Sequence, residues 1–212
     1  MADHTITPLM SGRYYHIYNR GNGGCDLFYQ HRNYLHFLKK YGYYLSDYID
    51  TYAYCLLPNH FHLLIRVKNK QDFLVKDDQF PIEADMERLN SGEIVAELFR
   101  RFFMSYSKSI NIQESRNGSL FQKNFRRKLI DNENYFVKIT YYIHNQLKHH
   151  GFDHLDDKDY QWSSYCRFLL EKETKLKKKE VFDWFGGKSE FISFHANHQK
   201  ILDIAHLTIE EE

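Results

Sequence analysis

The stretch from Leu56 to Ile65 constrains this chain more than any other. Two apolar runs, Leu56-Leu57 and Phe61 to Ile65, meet at a Pro58-Asn59 corner, with His60 and His62 just beyond it. The corner predicts a hairpin between a strand over residues 51–57 and another over residues 60–67. Side chains alternate faces along a strand, so His60 and His62 emerge together while Phe61, Leu63 and Ile65 point into a core. That is a two-imidazole grip on a sheet. In a chain with thirteen histidines the plain alternative is a half-exposed strand that carries two of them without purpose.

At 212 residues the chain suits one well-buried domain with an appended segment. Its formal charge of +1 gives no general attraction to nucleic acid or membrane, so a polyanion site must come from local clustering. Cys25, Cys55 and Cys166 are far apart and form no Cys-x-x-Cys pair, which points away from a disulfide framework or a thiolate zinc site and towards a reduced cytoplasm. Residues 1–10 lack the pattern of a secretory signal, and no run approaches the roughly 18 apolar residues of a membrane span. A soluble cytoplasmic protein with no membrane partner is expected.

Residues 14–19 are aromatic and β-branched, as a first strand should be, and they run into a glycine-rich basic loop. Arg20 and Asn22 in that loop are placed to meet a phosphate or base. From Arg32 to about Asp47, Tyr34, Phe37, Leu38, Tyr41 and Leu45 recur at helical spacing. Residues 68–91 read as a long irregular connection, and residues 92–112 as an amphipathic helix. Residues 119–130 are extended and end in a fourth strand. Asp131 or Asn132 caps a last helix with Phe136, Ile139, Ile143 and Leu147 as its buried stripe and Gly151 at its end.

Strand, helix, strand, strand, helix, strand is the ferredoxin-like (RRM-like) order of an α+β fold, an antiparallel sheet with helices on one face, here followed by an extra helix. Beyond Phe152 the character changes to an acidic patch, a charged run and aromatic clusters. The expected division is a main domain over residues 1–152 and a C-terminal helical and aromatic accessory extension over residues 153–212.

Between Arg100 and Lys128 eight basic residues stand against one acid, an excess of seven in a nearly neutral chain. Arg100, Arg101, Lys123, Arg126, Arg127 and Lys128, interleaved with aromatics, suit a single-stranded nucleic acid whose phosphates take the charge while its bases stack. On the last helix, at ~100° per residue, Tyr142 and Gln146 share one flank at the border between core and solvent, whereas Tyr141 and Asn145 point away. His60, His62 and the Gln146 amide oxygen would give three neutral ligands with open positions, a set better suited to Mg2+ or Mn2+ than to a closed structural zinc site. A phenol of pKa about 10 is ionised only about once in a thousand at neutral pH, so a tyrosine nucleophile beside such an ion needs its help.

His60-Phe61-His62 on a strand with a tyrosine on a later helix resembles the HUH single-strand endonucleases. The flanking text narrows the resemblance to the IS200/IS605-like Y1 transposases, and among these to the REP-associated tyrosine transposases. The residues that carry it are Tyr15-His16-Ile17-Tyr18-Asn19-Arg20-Gly21, Leu57-Pro58-Asn59-His60-Phe61-His62, Gly118-Ser119-Leu120-Phe121-Gln122, Tyr142-Ile143-His144-Asn145 and Trp162-Ser163-Ser164-Tyr165. The resemblance implies that His60 and His62 are metal ligands, Tyr142 the nucleophile and Gln146 the third ligand, one helical turn on. It also implies cleavage and rejoining of single-stranded DNA beside a hairpin, through a 5′-phosphotyrosine, by a homodimer or a monomer. Gln146-Leu147 departs from the Asn-Pro that relatives carry, and Tyr141 is the fallback nucleophile. The rival readings are a domesticated hairpin-binding protein that no longer cuts, and a structural zinc or RNA-binding module on the same frame.

Overall fold

The computed structural model describes residues 7–75, 80–81, 83–132, 134–150 and 160–197. Strands β1 (Tyr14–Arg20), β2 (Ile49–Leu57), β3 (His60–Val67) and β4 (Arg126–Ile130) form one antiparallel sheet in the order β2-β3-β1-β4. This is the expected ferredoxin-like order. The β2–β3 corner is held from outside the hairpin. The Pro58 carbonyl accepts from the amides of Leu27 and Phe28 at 2.7 and 3.0 Å, and the Asn59 carbonyl from Gly21 N at 2.7 Å. Gly21 is needed there, because a Cβ on it would lie 1.8 Å from the Cys25 carbonyl oxygen.

Helices α1 (His31–Leu45) and α3 (Ser91–Gln113) cover one face of the sheet. Their apolar stripes bring Phe37, Phe99, Phe102 and Tyr106 onto Tyr15, Ile17, Phe61, Leu63 and Ile65, all fully or almost fully buried. The start of α3 is set by a capping box. Asn90 Oδ1 accepts from Glu93 N at 3.0 Å, and Glu93 Oε2 accepts from Asn90 N at 2.7 Å. Among its described residues, the connection over residues 68–91 contains a 3-10 turn (Lys70–Asp72) and a short helix, α2 (Glu83–Arg88).

The other face carries α4 (Asn134–His144), α5 (Gln146–His149), α6 (Ser164–Leu169), α7 (Lys178–Phe185) and α8 (Lys188–Asn197). Ile139, Ile143 and Leu147 pack on Cys55, Leu57 and Leu64, and Tyr165, Phe168, Val181 and Phe191 complete this second core. Residues 160–197 therefore build the same core as α4 and β2. They also cover the β2 edge, where Leu56 N donates to the Trp162 carbonyl at 3.1 Å and Tyr160 Oη donates to the Leu56 carbonyl at 2.6 Å. The predicted helix end at Gly151, and the acidic patch, lie outside the described residues. Among the described residues no helix is long and apolar enough to cross a membrane.

A buried hydrogen-bond chain ties α8 to α4. His195 Nδ1 lies 2.8 Å from the Phe191 carbonyl, His195 Nε2 2.9 Å from His144 Nδ1, and His144 Nε2 2.8 Å from Ser164 Oγ. A carbonyl only accepts, so His195 carries its proton on Nδ1, His144 donates from Nδ1, and the Ser164 hydroxyl donates to His144 Nε2. Ser164 Oγ in turn accepts from Tyr54 N at 2.8 Å. Burial first and His195 second hold the His144 pKa well below the ordinary histidine value.

The unfolded chain thus takes up a proton near pH 6.5 that the folded chain refuses. The stability this group contributes is complete above that pH and is lost as pH falls below it. Urea melts followed by tryptophan fluorescence should give a lower unfolding free energy at about pH 5 than at about pH 7.5. This single group accounts for up to about 1.4 kcal/mol per pH unit, and His144→Gln should flatten that part of the slope.

Candidate active site and metal centre

Residues directly opposed in antiparallel strands share a face, so the ladder register places the polar residues of the second face in four rows, the last of them, at the far end, being Asp50, Arg66 and Tyr14. Leu57, His60 and Arg20 make the first row. Cys55, His62, Tyr18 and Arg126 make the second, and Leu64, His16 and Lys128 the third. The two histidines emerge together, as their alternation predicts, and on the face that α4 crosses.

Both imidazoles are held by hydrogen bonds. His60 Nδ1 is 2.6 Å from Asn59 Oδ1, and its Nε2 is 3.0 Å from His150 Nε2. An amide oxygen only accepts, so His60 carries its proton on Nδ1 and its Nε2 lone pair receives the His150 N–H. His62, 1% exposed, has its Nδ1 2.9 Å from His16 Nε2, which makes Nε2 the atom it can offer to an ion. The candidate ligand atoms of His60, His62 and His150 all lie within 4.8 Å of one another. Three neutral imidazoles at that spacing fit a first-row divalent ion.

Tyr142 projects from α4 onto this cluster. Its ring centroid is 5.8 Å from that of His62 and 6.0 Å from that of His16, near perpendicular to both. One turn on, Gln146 donates from Nε2 to the Tyr142 carbonyl at 3.2 Å. Gln146 is fully buried, and its Oε1 has no hydrogen-bond partner among the described residues. A buried amide oxygen in that state costs about 1–3 kcal/mol, a cost that coordination to a cation would remove. The donor set therefore fits a divalent ion on two independent counts.

Three sequence expectations change. The last helix is not continuous to Leu147. It ends at His144, breaks at Asn145, whose backbone leaves helical geometry at φ −99° and ψ 18°, and restarts at Gln146. Tyr142 is not at a border with solvent but 2% exposed, and Tyr141 and Asn145 are buried as well. Tyr142 is covered on its own side, its ring lying 5.8 Å from that of His62, 6.0 Å from that of His16 and 5.1 Å from that of His149, whereas Tyr141 is buried because α8 covers the outer side of α4. The Tyr141 ring packs on Phe194 and His195 at 5.5 and 5.4 Å, on the opposite side from Tyr142.

The third change concerns the basic residues, which do not make one surface. Arg20, Arg126 and Lys128 lie on the histidine face, and their side chains make no hydrogen bond or ion pair among the described residues. Burial lowers the Lys128 pKa. Arg127 alternates to the other face, its guanidinium 5.2 Å over the Phe125 ring. With Arg100 and Lys123 it lines a groove of about 1100 Å³ between α3 and residues 115–127. Arg100 and Arg101 are both engaged by Glu97, at 2.6 and 2.9 Å, an acid just outside the basic window. Asn22 is exposed in the 3-10 turn Asn22–Gly24 that follows β1.

His16 and His150 escaped the sequence reading. Alternation along β1 puts His16 on one face with Tyr18, but which face follows only from the register with β3. His150 lies eight residues beyond Tyr142, about 80° round a regular helix, and the only local signal is the His149-His150 pair.

No protein-family model and no curated protein matches this sequence. Among solved structures, a REP-associated tyrosine transposase bound to a REP hairpin aligns with a TM-score of 0.54 at 16% identity, over 81% of this chain and 87% of that one. The chain has the fold of that protein. Bacterial tRNA(His) guanylyltransferase-like proteins in complex with GTP and with ATP align at TM-scores of 0.35 and 0.34, with 9% and 12% identity, too loosely to carry an argument. They cover 71% and 78% of this chain, and it covers 73% and 74% of theirs.

Calorimetric titration with Mn2+ should find one site per chain that His62→Ala abolishes. His150→Ala and Gln146→Ala should each weaken it at least ~10-fold, the lower end of what losing even an outer partner costs a metal site. Binding that survives His62→Ala unchanged would place the ion elsewhere.

Proposed function

We propose that this chain is a Y1-type transposase of the REP-associated kind, a metal-dependent endonuclease and strand transferase that cleaves single-stranded DNA beside a hairpin. The observation that carries the reading is the seating of the Tyr142 ring on His62, with the unpartnered Gln146 oxygen one turn away. The hairpin-bound transposase of the same fold supports hairpin DNA as the partner.

In this reading Tyr142 Oη attacks the scissile phosphorus. The bond to the 3′ oxygen breaks as the bond from Oη to phosphorus forms, giving a 5′-phosphotyrosine, and the leaving 3′ oxygen departs as a hydroxyl, taking up in net the proton that the phenol gives up. The ester keeps the energy of the phosphodiester, so a 3′ hydroxyl can reverse the step and rejoin strands without ATP. His60 and His62 together with His150 or Gln146 would hold a divalent ion, which would supply Lewis-acid polarisation of the phosphate, and imidazole ligands would favour Mn2+ over the oxygen-seeking Mg2+. Arg20, Arg126 and Lys128 receive the phosphates that flank the cleaved bond. Strands β1, β3 and β4 contain no acid, and Asp50, the one acid of β2, pairs in register with Arg66 at the far end. No strand carboxylate therefore competes for these cations. Tyr142 is 2% exposed, so DNA reaches its hydroxyl only after side chains that cover it rearrange, and the His149 ring, 5.1 Å away, is one of those that pack on it.

Incubation with a labelled hairpin oligonucleotide and Mn2+ should yield a covalent adduct that resists denaturation. Tyr142→Phe should abolish it and Tyr141→Phe should retain it. Salt-sensitive hairpin binding with no adduct under any metal would instead identify a protein that binds and does not cut.

A further inference from the structure

The geometry points to His16 as a positioning residue. It holds His62 in the tautomer that presents Nε2 to a metal ion, and it props the ring of Tyr142. This rests on the reading of His60 and His62 as metal ligands.

The argument is a count of protons. His16 Nε2 and His62 Nδ1 are 2.9 Å apart, with both residues 1% exposed, so two imidazoles share one hydrogen bond out of reach of bulk water. Between two neutral rings that bond contains one proton. With the proton on His62 Nδ1, the His62 lone pair is on Nε2 and the ring can ligate. With the proton on His16 Nε2, His62 carries its hydrogen on Nε2 and cannot. The metal-competent state therefore requires His16 as the acceptor, with its own hydrogen on Nδ1.

Packing fixes the acceptor in place. His16 stacks on Tyr18 at 4.9 Å and 25°, lies side by side with His62 with the two ring planes only 20° apart, and meets the Tyr142 ring edge-on at 6.0 Å. A single side chain on the central strand thus touches both the ligand and the tyrosine. The usual partner of a ligating histidine is a carboxylate or a carbonyl. A neutral imidazole in that role adds no negative charge, in keeping with a face on which Arg20, Arg126 and Lys128 have no ion-pair partner among the described residues. The charge of a bound ion is then left for the phosphates to meet.

The test uses the full chain. Mn2+ affinity and the visible absorption of bound Co2+ are compared for wild type, His16→Phe, His16→Gln and His62→Ala, with circular dichroism and metal-free hairpin binding as fold controls. His16→Phe keeps a ring but cannot accept, and it should weaken ion binding roughly 10–100-fold and shift the Co2+ bands. His16→Gln offers an amide oxygen to His62 Nδ1–H and should recover most of the affinity. If His16→Phe loses its fold, His16→Leu reads the same missing acceptor. Wild-type affinity in His16→Phe alongside loss in His62→Ala would overturn the role of His16 and leave the metal site standing. Equal weakening in the Phe and Gln variants would reduce His16 to packing and also overturn it. A wild-type chain that binds no ion at these histidines would overturn the metal reading itself, and this inference with it.

Discussion

The register of β1 against β3, with Tyr18 opposite His62 and Arg20 opposite His60, is the constraint on which the site depends. A slip of one residue would turn every side chain of the strand to the other face. Here both faces are buried, so a slip would drive His60 and His62 into the aromatic layer under α1 and α3 and push Phe61 and Leu63 out of it. The two polar residues survive among apolar neighbours because each imidazole is bonded, His60 to Asn59 and His150, His62 to His16. The same bonds set which nitrogen each ring presents.

Charge is organised by the same alternation. The basic run Arg126-Arg127-Lys128 looks like one patch in the sequence, yet β4 divides it between the histidine face and the groove beside α3. Glu97 engages two of the remaining arginines. What is left on the histidine face is a small group of cations that have no acid partner among the described residues, beside a cluster of imidazoles. An anionic ligand is the natural complement of that arrangement.

The C-terminal helices shape the site from the far side of α4. By covering the outer side of α4 they bury Tyr141 in an aromatic cluster and leave Tyr142 facing the sheet. The His195–His144–Ser164 chain ties α8 to the end of α4, two residues from both Tyr142 and Gln146.

Much of this was legible in the sequence because it depends on short-range periodicity. The Pro58-Asn59 corner, the alternation through Ile65, the strand and helix order, and the spacing of Tyr142 and Gln146 all follow from neighbours within a few residues. His16 and His150 were not legible, since they reach their partners across 46 and 90 residues of chain. Only strand register and the break at Asn145 bring them in. The burial of Tyr141 likewise waited on α8. Periodicity states which side chains share a face, and it is long-range packing that decides what lies opposite that face.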